Sequence, residues 1–121
     1  MDERKNLSFA KRLAFALAGL THALRGERSL RTQAGFLLLV MILLAILRPA
    51  PLWWALVILA SAGVLAAELF NTAIEHLADH LHPDLHPAIR IVKDCAAAGV
   101  LLAVTGAIGV GIALFVELIR R

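Results

Sequence analysis

Hydrophobic and polar positions along the chain fall into one amphipathic stretch followed by three long apolar ones. Residues 6–25, "NLSFAKRLAFALAGLTHALR", place Phe9, Leu13, Leu17, Leu20 and Leu24 at helical spacing, with Lys11, Arg12, His22 and Arg25 elsewhere around the helix. That pattern predicts a helix lying in a membrane interface and not across it. Beyond Gly26 a second helix is expected over 27–48, whose apolar centre "AGFLLLVMILLAIL" is short but spans if Arg31 and Arg48 snorkel. "RPAP" at 48–51 is a turn, because two prolines in three residues cannot continue a helix interior. The next span is expected over 52–80, anchored by Trp53 and Trp54 at the headgroups and extended into water at its far end. "HLHPDLHP" then breaks the chain, and a third span is expected over 94–118.

The expected architecture is therefore all-α: a single membrane domain over 1–121 with three transmembrane helices and an N-terminal surface helix. The last span carries Ala96, Ala97, Ala98, Gly99, Gly106, Gly109 and Gly111, small residues that allow close helix approach and predict packing in a bundle.

Composition agrees: 60% of residues are hydrophobic and 17% charged, far from a water-soluble domain. The net charge of +3 is modest, but seven of the twelve Lys and Arg residues precede position 32, against Asp2, Glu3 and Glu27. Such a gradient fits an anionic membrane face and puts the amino terminus in the cytoplasm, with "RPAP" outside, residues 76–93 inside and the carboxyl terminus outside. A nucleic-acid partner is excluded, since the rest of the chain could not stay soluble to present a basic patch to it. Cys95 cannot form an internal disulfide and reads as a small packing residue. No small-x-small cleavage site follows residues 36–47, so that segment is expected to stay in the mature chain.

The chemistry concentrates in "ELFNTAIEHLAD", residues 68–79. At about 100° per residue, Glu68, Asn71, Glu75 and Asp79 share one helix face within roughly 80°. Counted from Trp54 at the outer headgroups, Glu68 lies about 21 Å down the helix, still inside a hydrocarbon core about 30 Å thick, with Glu75 near its inner edge and Asp79 in water. Any one of these carboxylates could simply cap the helix or pair with Lys93 or the N-terminal arginines, but four polar groups in a stripe descending from membrane to water mark a functional site. Glu27 and the "KD" at 93–94 reach the level of Glu75. Carboxylates plus a lysine at one depth are what Mg²⁺ and a polyphosphate require.

The sequence resembles the prokaryotic diacylglycerol kinase and undecaprenol kinase family of small trimeric membrane enzymes. The likeness rests on "LAGL" and "GERSLR" at the front, "ELFNTAIEHLAD" in the middle and "HPAIRIVKDCAAAGVLLA" behind, and covers nearly the whole chain. The resemblance implies a homotrimer in the bacterial plasma membrane that transfers the γ-phosphate of MgATP to a lipid hydroxyl, with Mg²⁺ as cofactor. Diacylglycerol giving phosphatidic acid is the expected reaction, and undecaprenol the alternative acceptor. It also implies roles: Glu68 takes the proton from the lipid hydroxyl, Glu27 and Glu75 bind the metal, and Asn71, Asp79, Lys93 and Asp94 surround the nucleotide with Lys11 and the two glutamates. Arg31 and Gln33 join Glu68 at the lipid. Gln33 departs from the pattern, since the family carries Glu or His there, while His76 and the "HP" before the third span look more like the undecaprenol branch.

Two other readings compete. Four of the five histidines lie between 76 and 86, with His76 and His80, and His82 and His86, at i, i+4 spacing near Asp79 and Asp84. A zinc-binding or metal-transport protein would use them. A structural bundle subunit would need no site, but leaves Glu68 unexplained.

Overall fold

A computed structural model describes residues 3–121, with side-chain burial from Lys5 onward; Asp2, counted above among the acids, lies outside them. After a 3-10 turn at Glu3–Asn6 the chain forms four helices: α1 Phe9–Gly26, α2 Arg28–Leu47, α3 Pro51–Leu81 and α4 Pro87–Arg120. No strand occurs among the described residues. Three helices, α2, α3 and α4, are long and apolar enough to cross a membrane.

Each boundary has a local cause. Ser8 caps α1, its hydroxyl accepting from the Lys11 amide at 3.5 Å. Extended backbone at Glu27 ends α1 and allows α2 to leave in a new direction. α2 stops where Arg48 takes a left-handed conformation, φ 47°, and its N–H bonds to the Leu44 carbonyl at 2.8 Å. Pro51 opens α3 at a first-turn position, where its missing N–H loses no helix bond. Pro83 follows the last turn of α3 and prevents continuation.

α4 begins seven residues before the expected 94. Pro87 had been read as a breaker, but it sits in the first turn, and the His86 ring caps the helix by accepting from the Ala88 amide at 3.1 Å. With 31 residues α3 runs about 46 Å, and with 34 residues α4 runs about 51 Å. Both overreach a hydrocarbon core of about 30 Å, whereas the 20 residues of α2 only just match it.

Packing is thin. α3 and α4 lie against each other over the greatest length, with α2 on α3 and α1 on α2 in smaller contacts. Leu44, Val57 and Leu114 form a buried cluster, with Trp53 and Trp54 half-buried against it, so these indoles pack inward as well as marking the membrane edge. The accessible surface is 9317 Å², against about 6,300 Å² for a compact soluble chain of this mass. Most of the excess is apolar: Phe36, Leu59, Phe70, Leu102, Ile112 and Phe115 are all exposed. The glycines of α4 meet no other helix, since a Cβ built at any of them finds nothing within 4 Å. Cys95, expected as a packing residue, is exposed in the single chain.

Candidate functional site

Glu68 is the one buried charged side chain among the described residues, 8% exposed. Burial follows from its position on the face of α3 that turns toward α2. There Ser29 and Gln33, i and i+4 on α2, point the same way. The Gln33 amide donates from Nε2 to one carboxylate oxygen of Glu68 at 2.6 Å, and the Ser29 hydroxyl approaches the other at 3.4 Å. No ion pair reaches Glu68 among the described residues. An unpaired carboxylate in an apolar place is costly to hold, and two neutral hydrogen bonds offset only part of that cost.

On the membrane side of this group a cleft of about 500 Å³ opens between α2, α3 and α4. Gln33 and Thr32 stand at its polar end, and Phe36, Val57, Val64 and Val104 belong to its apolar walls. Glu68 and the apolar cleft thus share Gln33. Two polar atoms nearby are buried without a hydrogen-bond partner, Oε1 of Gln33 and Oδ1 of Asn71.

Toward the expected cytoplasmic side lies a second set of contacts. Glu27, at the join of α1 and α2, faces His76 of α3, with Oε1 and Nε2 3.6 Å apart. His22 of α1 meets the same His76 ring edge-on, centroids 6.2 Å apart. Glu75 is half-buried one residue earlier on α3. Lys93 of α4 donates to Asp79 of α3, joining the two helices on either side of the 82–86 link. Asp94 pairs with Arg90 one turn away at 3.8 Å and is largely exposed.

Among the residues singled out in the sequence, then, Gln33 meets Glu68, Asp79 meets Lys93, and Glu27 reaches the level of Glu75 by way of His76. Others do not converge in the single chain. Arg31 turns back to donate to the carbonyls of Leu24 at 3.0 Å and Arg25 at 2.8 Å, closing the last turn of α1. Lys11 is exposed near the start of α1, about 22 Å along the helix from Gly26. Ser29 had no sequence signal except its i, i+4 relation to Gln33, and His76 had been noted without a structural role.

The histidines do not form a metal site: no three His, Cys, Asp or Glu side chains gather to hold an ion among the described residues. The His82 and His86 rings lie 6.4 Å apart at a 40° tilt, and His76 is turned to Glu27. A zinc site, which needs three or four protein ligands, is therefore unsupported. Mg²⁺ asks for less, being held by one or two carboxylates together with water and substrate phosphates. Glu27, facing His76, and Glu75, the residue before His76 on α3, are carboxylates of the kind that requirement calls for.

Comparison with known proteins agrees with this layout. A family model described as prokaryotic diacylglycerol kinase matches residues 14–115. An undecaprenol kinase from Bacillus subtilis is 30% identical over 115 residues, covering 94% of each chain. A diacylglycerol kinase from Synechocystis is 34% identical over 98 residues, covering 80% of this chain and 56% of that one. Glu68, its partners Ser29 and Gln33, and the residues that line the apolar cleft all lie within the matched region, and the chain belongs to the prokaryotic diacylglycerol kinase family of membrane-bound lipid kinases.

Proposed function

We propose that this protein transfers the γ-phosphoryl group of MgATP to the hydroxyl of diacylglycerol, forming phosphatidic acid at the cytoplasmic face of the bacterial plasma membrane. The observation that carries the reading is the buried Glu68 held by Gln33, which itself stands at the polar end of an apolar cleft open between the spanning helices. A lipid entering sideways from the bilayer would lay its chains in the cleft and bring its hydroxyl to Glu68.

Glu68 accepts the hydroxyl proton as the oxygen attacks the γ-phosphorus, while Ser29 and Gln33 hold the carboxylate still. Asn71, Asp79, Lys93 and Asp94 surround the nucleotide, with Lys93 passing from Asp79 to a phosphate oxygen. Glu27 and Glu75 would hold Mg²⁺, which when bound neutralises phosphate charge and fixes the γ-phosphoryl in line. Phosphoryl transfer asks for positioning and charge neutralisation more than covalent chemistry, so a small helical bundle suffices.

Two further parts belong to the same reading. The large exposed apolar surface and the open glycines of α4 support a homotrimer, in which a neighbouring copy covers α4 and brings Lys11 or Asp94 to the nucleotide. The basic amino-terminal third supports a cytoplasmic amino terminus.

Undecaprenol is the second reading for the acceptor, favoured by the match to an undecaprenol kinase over 94% of both chains. Gln33 supports diacylglycerol by keeping the polar shape of a glutamate without its charge. Radiolabelled ATP offered with diacylglycerol and undecaprenol in matched mixed micelles decides between them: a preference of about tenfold or more for undecaprenol overturns the diacylglycerol assignment.

A further inference from the structure

Both groups that touch Glu68 are neutral, and both can either donate or accept a hydrogen bond. A serine hydroxyl rotates to do either, and a primary amide carries a donor and an acceptor at its two ends. Gln33 uses only one end. Its Nε2 donates to Glu68 at 2.6 Å, while its Oε1 is buried with no donor. The orientation is fixed by chemistry, because the carbonyl end turned to a carboxylate would set two acceptors face to face. A buried acceptor without a donor is a standing cost to the fold.

That acceptor gains a donor in the other protonation state of the base. When the lipid oxygen bonds to the γ-phosphorus, its proton moves to Glu68, and ADP leaves with the electron pair of the broken P–O bond. Glu68 is then a carboxylic acid with an O–H to donate, and the Gln33 NH₂ group would face it donor to donor. A half-turn about the last side-chain bond of Gln33, a soft and nearly two-fold torsion, presents Oε1 instead. Ser29 adapts by turning its hydroxyl. We infer that Gln33 is a positioning residue that follows Glu68 through both protonation states, holding the base before transfer and the acid after it. The inference rests on the reading of Glu68 as the base.

The surroundings leave this task to neutral groups. Charged side chains on the neighbouring elements are engaged elsewhere: Glu27 of the α1–α2 join with His76, Arg31 of α2 with the carbonyls of Leu24 and Arg25, and Lys93 of α4 with Asp79. None of them forms an ion pair with Glu68, and α2 offers it only Ser29 and Gln33.

Two substitutions at Gln33 test the inference. Gln33→Met keeps the volume and removes both hydrogen-bonding ends, and should lower kcat about 10- to 100-fold with KM for lipid and for MgATP within about twofold. Gln33→Glu sets a second carboxyl at hydrogen-bond distance, where the pair must share one proton, so the rise of kcat should move to higher pH by about a unit or more. A Gln33→Met variant that raises lipid KM and keeps kcat overturns the inference, because Gln33 then reads the lipid. A Gln33→Glu variant with the wild-type pH profile overturns it equally, and decides the matter alone if the methionine variant does not fold. Wild-type protein that phosphorylates neither lipid removes the base reading and this inference together, whereas a failure confined to the variants removes the inference only.

Discussion

His76 on α3 holds the carboxylate of Glu27 at 3.6 Å, and in doing so fastens the join between the surface helix and the first span to the helix that carries Glu68 and Glu75. Because the His76 side chain is 59% exposed, the pair is screened by water and contributes at most about 1 kcal/mol. His76→Ala should accordingly weaken MgATP by no more than about fivefold and leave the catalytic step alone. Nucleotide titration calorimetry on the variant checks this, and a loss of a hundredfold or more would mean that His76 contacts the nucleotide itself.

Glu68 and Glu75 share a helix face and a chemistry but differ in depth, so their substitutions should differ in kind. Glu68→Gln removes the proton acceptor and should lower turnover about 10²- to 10⁴-fold while MgATP binding stays nearly intact. Wild-type turnover in that variant, measured with saturating lipid, is incompatible with Glu68 as base.

Glu75→Gln should instead raise the Mg²⁺ concentration needed for half-maximal rate and weaken nucleotide binding, with a smaller effect on the saturated rate. Initial rates against Mg²⁺ on the same preparation test it. Normal MgATP affinity at low Mg²⁺ would remove Glu75 from the metal.

With the proposed cytoplasmic amino terminus, three spans would put Arg121 outside the cell. A reporter that is active only in the cytoplasm should be silent when fused after Arg121 and active when fused ahead of α1. The reverse result would put the 82–86 link, and with it Asp79 and Lys93, on the side away from ATP.

Much of this was legible before any coordinates, for reasons that differ by residue. The three long helices follow from apolar runs bounded by prolines, and the stripe from Glu68 to Asp79 follows from helical geometry alone. Pro87 was misread because a proline in the first turn starts a helix while one in the interior breaks it, and only backbone placement separates the two cases. Arg31 was assigned to the lipid on family pattern. In the single chain its guanidinium closes the end of α1, a contact that depends on the angle between α1 and α2 and leaves no trace in spacing. Ser29 was missed because a serine in an amphipathic stretch is unremarked until its partner is known to be Glu68. The convergence of Lys11 and Asp94 on the nucleotide was expected from resemblance, and a single chain does not bring them there.

Arg121 and the water-facing ends of α3 and α4 have slack; α2 has none. At 20 residues it is as long as the hydrocarbon is thick, and through Ser29 and Gln33 it is the helix that grips Glu68. Bilayer thickness thereby becomes a variable of the chemistry. In a thicker bilayer the lipid must thin around α2, while the longer α3 can take up the difference by tilting or sliding, so the two partners of the Glu68 grip are pulled out of register. The kinase should therefore show an optimum in acyl-chain length of the host lipid that is set by its first span, and lengthening α2 by a turn near Ile46, at the end away from Gln33, should move that optimum toward thicker membranes.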